Sequence, residues 1–398
     1  MQFLHLYPLP PPFRALSGDR VAPMSQGVLQ SASQATSLNI RKKLFPPTGP
    51  VVASCSGPDL GITDVPKLPA TGYPGQGYAG KIAGCDNWSL KRDFAYGLAV
   101  SLYERNVLEA EGLSGDPIAD VYAILAYRNS AILAVADGSS WGYKPRLAAK
   151  CAVRAVMDTL SSNLKDITEV NEVFEEMDTA LGNAQRLILK NEGTMTTLSV
   201  AVVVQLKGSS QWGLCTMSVG DSPVFVYRPS QNHLMQVSHE PVHGAKVLTD
   251  CGGCLGPCKG DHPDLSNLNF SFTYISPGDI VFAATDGIAD NFRTGCMKPS
   301  RKGDDDNMVE NLRERLEEVH GQLGSITDYH FTAQDLVACL ARHAQLLTHN
   351  LRGIREEMLR VGLSRKCLAE VNPELYRKLC LAPGKLDHAS VVAYEVPL

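Results

Sequence analysis

The segment HASVVAYEV (388–396) constrains this chain more than any other. It reads as a β-strand, yet the stretch before it, residues 304–381, reads as helix. Backbone N–H and C=O groups of a strand need partners. This strand must therefore cross back over the helices and pair with strands far earlier in the chain. The layout is α+β, and antiparallel sheets flanked by helices are its simplest arrangement.

The earlier strands come as a block. DVYAILAY (120–127) and SAILAVA (130–136) are apolar runs split by Arg128-Asn129, a hairpin signal. TTLSVAVVVQL (196–206), WGLCTMSVG (212–220), PVFVYR (223–228) and HLMQV (233–237) follow at hairpin spacing. LNFSFTYI (268–275) alternates like a half-buried strand, whereas DIVFAATD (279–286) is more continuously apolar, as a central strand is. Between the first hairpin and this block lie two helices. One opens at Pro145, a favoured first helical residue. In the other, over 167–190, Val170, Val173, Phe174, Met177, Leu181, Ala184, Leu187 and Ile188 share one face at spacings of three and four. The acids at 304–306 suit a helix start, and Thr332 with Asp335 has capping-box spacing for a helix over 332–347. No internal repeat is evident.

Three of these strands are punctuated by aspartate. Asp137-Gly138 ends one, Asp286-Gly287 ends another, and Asp387 opens the last. A single aspartate there has an ordinary reading as a loop cap or turn residue. The chemical alternative is a site for a hard cation, which takes oxygen ligands from carboxylates and carbonyls and removes the repulsion between gathered acids. Spacing alone does not bring the three together.

Composition bounds the remaining possibilities. A chain of 398 residues has room for one large domain or two ordinary ones. Its net charge of −5 gives no general attraction to nucleic acid or to an anionic membrane, and no window approaches a membrane-spanning length. The eleven cysteines are odd in number and scattered, so reduced thiols and a cytoplasmic location are expected, with nuclear and mitochondrial alternatives. Residues 1–80 are rich in Pro, Ser and Gly and lack apolar periodicity, so they are expected to be disordered, with the folded domain over 81–398. RKKLF (41–45) is a short basic-apolar cluster in that region.

AVADGSSWG, TTLSVAVV, SVGDSPVFVYR, GDIVFAATDGIADNF and GKLDHASVVAYEV occur in the order of the type 2C protein phosphatases, the metal-dependent serine/threonine phosphatases. The resemblance covers roughly residues 115–396. It implies a four-layer α-β-β-α sandwich of two antiparallel sheets. It implies two Mg2+ or Mn2+ ions held by Asp137, the Gly138 carbonyl, Asp286 and Asp387, with Asp120 matching a further family aspartate. Asp137, Asp286 and Asp387 are then catalytic, supporting direct hydrolysis of phosphoserine or phosphothreonine in a phosphorylated protein by metal-activated water. Asp221 matches a position that reads as structural.

The chain also departs from the family pattern. Ser139 stands where many members have a histidine able to protonate the leaving alcohol. Ala119 stands where a glutamate belongs, and Gly115 lies near the place of the phosphate-binding arginine. Arg92, Arg128, Lys144 and Arg146 are candidate substitutes. His388 replaces the usual Asn or Asp after the metal aspartate. These losses set a second expectation beside the phosphatase: a catalytically weak or dead pseudophosphatase that acts as a binding scaffold. A third feature, Cys251-Gly-Gly-Cys254-Leu-Gly-Pro-Cys258 with His243 or His262, has partial zinc-knuckle spacing. Arg293, Lys298, Arg301 and Lys302 lie on a segment that reads as a charged flap, and Trp141 is expected to pack over the helix at Pro145. Nothing in the sequence fixes an oligomeric state.

Overall fold

A computed structural model describes residues 40–65, 81–107, 112–238, 251–297, 307–324 and 329–398. Two large antiparallel sheets stack face to face. The first contains β1 (Ala53–Gly57), β2 (Ser89–Leu90), β4 (Val121–Ala126), β5 (Ser130–Ala136), β6 (Leu198–Gln205), β7 (Trp212–Val219) and β12 (Asn269–Ile275), in the order β12-β7-β6-β5-β4-β1-β2. The second contains β3 (Ala95–Ser101), β8 (Val224–Arg228), β9 (His233–Gln236), β13 (Ile280–Ala284) and β14 (His388–Glu395), in the order β3-β14-β13-β8-β9. A separate hairpin pairs β10 (Cys254–Lys259) with β11 (His262–Asp264).

Helices α1 (Tyr143–Asn163) and α2 (Val170–Lys190) cover the first sheet. Helices α5 (Met308–Gly324) and α6 (Ala333–Leu347) cover the second, beyond the short α3 (Asp286–Ala289) and α4 (Thr294–Met297). Three apolar layers result, and single strands feed two of them. On β5, Ala131, Leu133 and Val135 point between the sheets, while Ile132, Ala134 and Ala136 point at α1 and α2. On β14, Val392 and Tyr394 point between the sheets, while Val391 and Ala393 point at the outer helices. Burial on both faces explains why these strands read as unbroken apolar runs. The four-layer sandwich expected from the sequence is the observed architecture.

The returning strand pairs as its position demands: β14 lies between β13 and β3. The capping box expected of Thr332 and Asp335 forms on α6, and Glu169 with Glu172 makes a second one on α2. Residues 350–381 break into α7 (His349–Arg360), α8 (Arg365–Val371) and α9 (Pro373–Leu381).

The boundary expected at residue 81 is corrected. Residues Ala53–Gly57 form a fully buried strand paired with β4 along its length. RKKLF is also part of the fold. Leu44 is buried among the residues under α2, and Lys43 pairs with Glu169 at 2.5 Å. Residues 1–39 and 66–80, the rest of the region expected to be disordered, lie outside the described residues. Among the described residues no helix is long and apolar enough to cross a membrane.

Candidate active site

Register alone gathers the acids at one end of the sandwich. Val121 pairs with Ala136, so Asp120, just before β4, and Asp137, just after β5, leave the first sheet together. Ala284 pairs with Val391, so Asp286, after β13, and Asp387, before β14, leave the second sheet together. The Thr285 hydroxyl donates to Asp120 Oδ2 at 2.7 Å and ties the two ends to each other. Neither Asp-Gly pair makes a hairpin turn. A side chain at Gly138 would lie 2.5 Å from the Pro145 carbonyl oxygen, and one at Gly287 would lie 1.8 Å from that of His388. Glycine is needed at both places because another segment's backbone passes there.

Buried acids at such spacing resist ionisation. Burial first, and then the charges of Asp387 and Asp286, push Asp120 up to about 8, with the Thr285 hydroxyl working against the shift. Burial, followed by the charges of Asp120, Asp286, Asp387 and Asp221, holds Asp137 well above the usual carboxylate range. Asp387 rises to about 6, through burial and the Asp286 charge against the pull of Lys385.

Lys385 is the cation of this cluster. Its Nζ lies 2.5 Å from Asp286 Oδ2, 3.0 Å from Asp290 Oδ2 and 3.0 Å from Asp387 Oδ2. Burial opposes its charge, but the three carboxylates outweigh burial and keep it protonated. Asp290 also receives Arg293 Nε at 2.6 Å.

Asp137, Asp286, Asp387 and Lys385 face a cavity of about 910 Å³. Tyr103 stands at its side, donating to Asp387 Oδ1 at 3.3 Å and accepting from Trp141 Nε1 at 2.8 Å. A further wall comes from the helical segment after α6, where Leu351, Met358, Leu359 and Leu363 line the cavity together with Arg355, Ser364 and Lys366.

A sequence profile described as Protein phosphatase 2C matches residues 113–341. The chain belongs to the protein phosphatase 2C family. A Drosophila melanogaster relative, the PP2C-like domain-containing protein CG9801, is 42% identical over 225 residues, which are 54% of this chain and 31% of that protein. The chain thus spans about a third of that relative's length. Among solved structures, the photosystem II phosphatase PBCP is 16% identical with a TM-score of 0.42, over 76% of this chain and 98% of that one. The Mycobacterium tuberculosis serine/threonine phosphatase PstP/Ppp is 13% identical with a TM-score of 0.38, over 76% and 99%.

Phosphatases 2C are metal-dependent, and the donor chemistry here suits a hard divalent cation. Asp120 Oδ1 and Asp286 Oδ1 are buried with no hydrogen-bond partner, a costly state that a cation would relieve. The set is not preformed around a metal-sized point. Among the described residues, no three His, Cys, Asp or Glu side chains are gathered closely enough to hold an ion. Three carboxylates close around Lys385 instead.

The expected site residues Asp120, Asp137, Gly138, Asp286 and Asp387 come to one end of the fold. Asp221, read as structural, lines the same cavity. None of Arg92, Arg128, Lys144 and Arg146 lines it, and Arg146 pairs instead with Asp59 at 2.6 Å. The Trp141 ring meets Tyr103 edge to face at 5.4 Å. The two family departures at Ala119 and His388 touch each other. The Ala119 N–H donates to His388 Nδ1 at 3.1 Å, and burial pushes this imidazole down to about 4, so it stays neutral. Arg293 turns inward to Asp290, while Lys298, Arg301, Lys302 and His243 lie outside the described residues. Sequence reasoning missed Lys385 and Asp290. Asp290 follows Asp286 by one helical turn, and that spacing was the available signal.

Proposed function

We propose that this phosphatase 2C domain hydrolyses phosphoserine or phosphothreonine in proteins with Mg2+ or Mn2+ held by Asp137, the Gly138 carbonyl, Asp286, Asp387 and Asp120. One observation carries the reading: Asp120, Asp137, Asp286 and Asp387 gather from two sheets at one end of the fold, the last three open onto one cavity, and a buried oxygen of Asp120 and one of Asp286 have no hydrogen-bond partner. When bound, the ions make coordinated water acidic and neutralise phosphoryl charge. The chain's own residues supply the frame. Thr285 fixes the orientation of Asp120, and Tyr103 does the same for Asp387. The wall of Leu351, Met358 and Leu359, with Arg355 and Lys366 beside them, offers a surface for the residues flanking the phosphorylated side chain. The test is hydrolysis of a phosphothreonine peptide by the full chain, with and without millimolar Mn2+, beside Asp286→Ala. Turnover that requires Mn2+ and disappears in the variant is expected. No turnover across several peptides, in folded protein that binds Mn2+, rejects the reading. The full chain is needed because β1 precedes residue 80.

A second reading, the pseudophosphatase, is favoured by Lys385. An ammonium already bound to Asp286, Asp290 and Asp387 does part of the electrostatic work of an ion. On this reading Lys385 competes with metal, and Lys385→Met raises Mn2+ affinity about tenfold or more, a gain of roughly 1.4 kcal/mol. Titration calorimetry measures it. Unchanged affinity and stoichiometry would remove the support that Lys385 gives this reading.

A further inference from the structure

The β10–β11 hairpin brings two sulfurs together. Cys254 Sγ and Cys258 Sγ lie 2.8 Å apart, and Cys258 Sγ is also 3.2 Å from the Cys254 carbonyl oxygen. The backbone between them forces this approach. Gly256 has φ +100°, and a side chain there would lie 2.1 Å from the Thr194 carbonyl oxygen, so the turn demands glycine. The pairing of β10 with β11 is irregular between Cys254 and Lys259, which turns residues four apart toward each other. Gln185 on α2 clamps the turn, donating to the Gly256 and Asp261 carbonyls at 2.9 and 3.0 Å and accepting from the Gly256 N–H at 2.7 Å. The two thiols are therefore held in place by the fold.

Their environments differ usefully. Cys254 is buried, while Cys258 is half-buried. The two thiols share a hydrogen bond in which either sulfur can donate, and it lowers the Cys258 pKa against the effect of burial. A zinc site fits less well. Thiolates on one tetrahedral zinc, at about 2.3 Å from the metal, stand roughly 3.8 Å apart. Here the sulfurs are closer, and no metal-holding group of three ligands forms among the described residues.

We propose that Cys254 and Cys258 are a redox pair that closes to a disulfide when the protein meets a peroxide. The Cys258 thiolate attacks one peroxide oxygen and the O–O bond breaks. The departing oxygen takes protons and leaves as water, so Cys258 becomes a sulfenic acid. The Cys254 sulfur then attacks the Cys258 sulfur; the S–S bond forms, the S–O bond breaks, and a second water leaves. Two thiols are oxidised and one peroxide is reduced to two waters. A thiol reductant reverses the change.

The pair sits beside the acid cluster. Leu255, between the cysteines, exchanges backbone hydrogen bonds with Thr196 at 2.8 and 3.1 Å. The Thr196 hydroxyl in turn donates to the Asp137 carbonyl at 2.8 Å, and Cys251 lines the cavity.

The experiment treats the full chain with hydrogen peroxide and reads intact mass and cysteine-mapped peptides, so it needs neither metal nor turnover. The expected result is loss of two hydrogens, a Cys254–Cys258 cross-link, and recovery with dithiothreitol. Cys258→Ser abolishes the cross-link and Cys251→Ser retains it, with thermal melts confirming that both variants fold. Three results would each overturn the proposal: addition of two oxygens at Cys258 without a cross-link, a cross-link that uses Cys251, or stoichiometric zinc in the purified protein that Cys254→Ser releases.

Discussion

The acidic end of the sandwich has two corners, and they solve one electrostatic problem differently. In the corner built from the second sheet, Asp286, Asp290 and Asp387 share the ammonium of Lys385. In the corner built from the first sheet, Asp120 has one neutral hydroxyl partner and a bare buried oxygen, and Asp137 is raised by burial and by the charges of its acid neighbours. One corner carries its own cation in Lys385, whereas in the other the Asp120 carboxylate meets the neutral Thr285 hydroxyl.

The largest effect that would break this comparison is loss of the internal cation. Lys385→Met leaves Asp286 and Asp387 without their cation, while Asp290 keeps Arg293. In chelator it should lower stability by about 3–5 kcal/mol, and Mn2+ should restore part of that loss. Chemical denaturation with and without EDTA measures it, and an unchanged midpoint in EDTA would mean that both corners are alike. Asp137→Asn attacks the other corner. It should leave stability in chelator unchanged or improved, because a buried charge is removed. It should also reduce Mn2+-dependent hydrolysis by more than the roughly 10–100-fold typical of an outer-shell partner. Kinetics at saturating Mn2+ test this. Thr285→Val removes the hydroxyl that Asp120 accepts from and should destabilise by about 1–3 kcal/mol while leaving the Lys385 contacts intact. A loss that Lys385→Met fully masks in a double-mutant cycle would show that the corners are coupled. Trp141→Phe is the mildest change. The ring is 46% exposed, so losing its bond to Tyr103 should cost under about 1 kcal/mol and shift KM more than kcat.

Much of this was legible in the chain. The existence of α2 followed from its apolar periodicity, that of α1 and α6 from the start signals at Pro145 and at Thr332 with Asp335, and that of most strands from their apolar runs. The aspartates were conspicuous because each interrupts an apolar run. The elements that escaped notice have reasons for doing so. β1, with the sequence ASCSG, is made of small residues without alternation, and pairing with β4 gives it its strand character. β3 and the β10–β11 hairpin are likewise set by their neighbours more than by their own pattern.

The sequence by itself determined the family, the class of fold, and which carboxylates would stand at strand ends, since these depend on local pattern and chain order. The tertiary structure alone decided what those carboxylates meet. Lys385 reaches Asp286 across 99 positions of chain, and Asp120 reaches Thr285 across 165. Such encounters depend on two sheets docking in one relative position, which is fixed by the packing of apolar faces that carry no record of the charges at their ends.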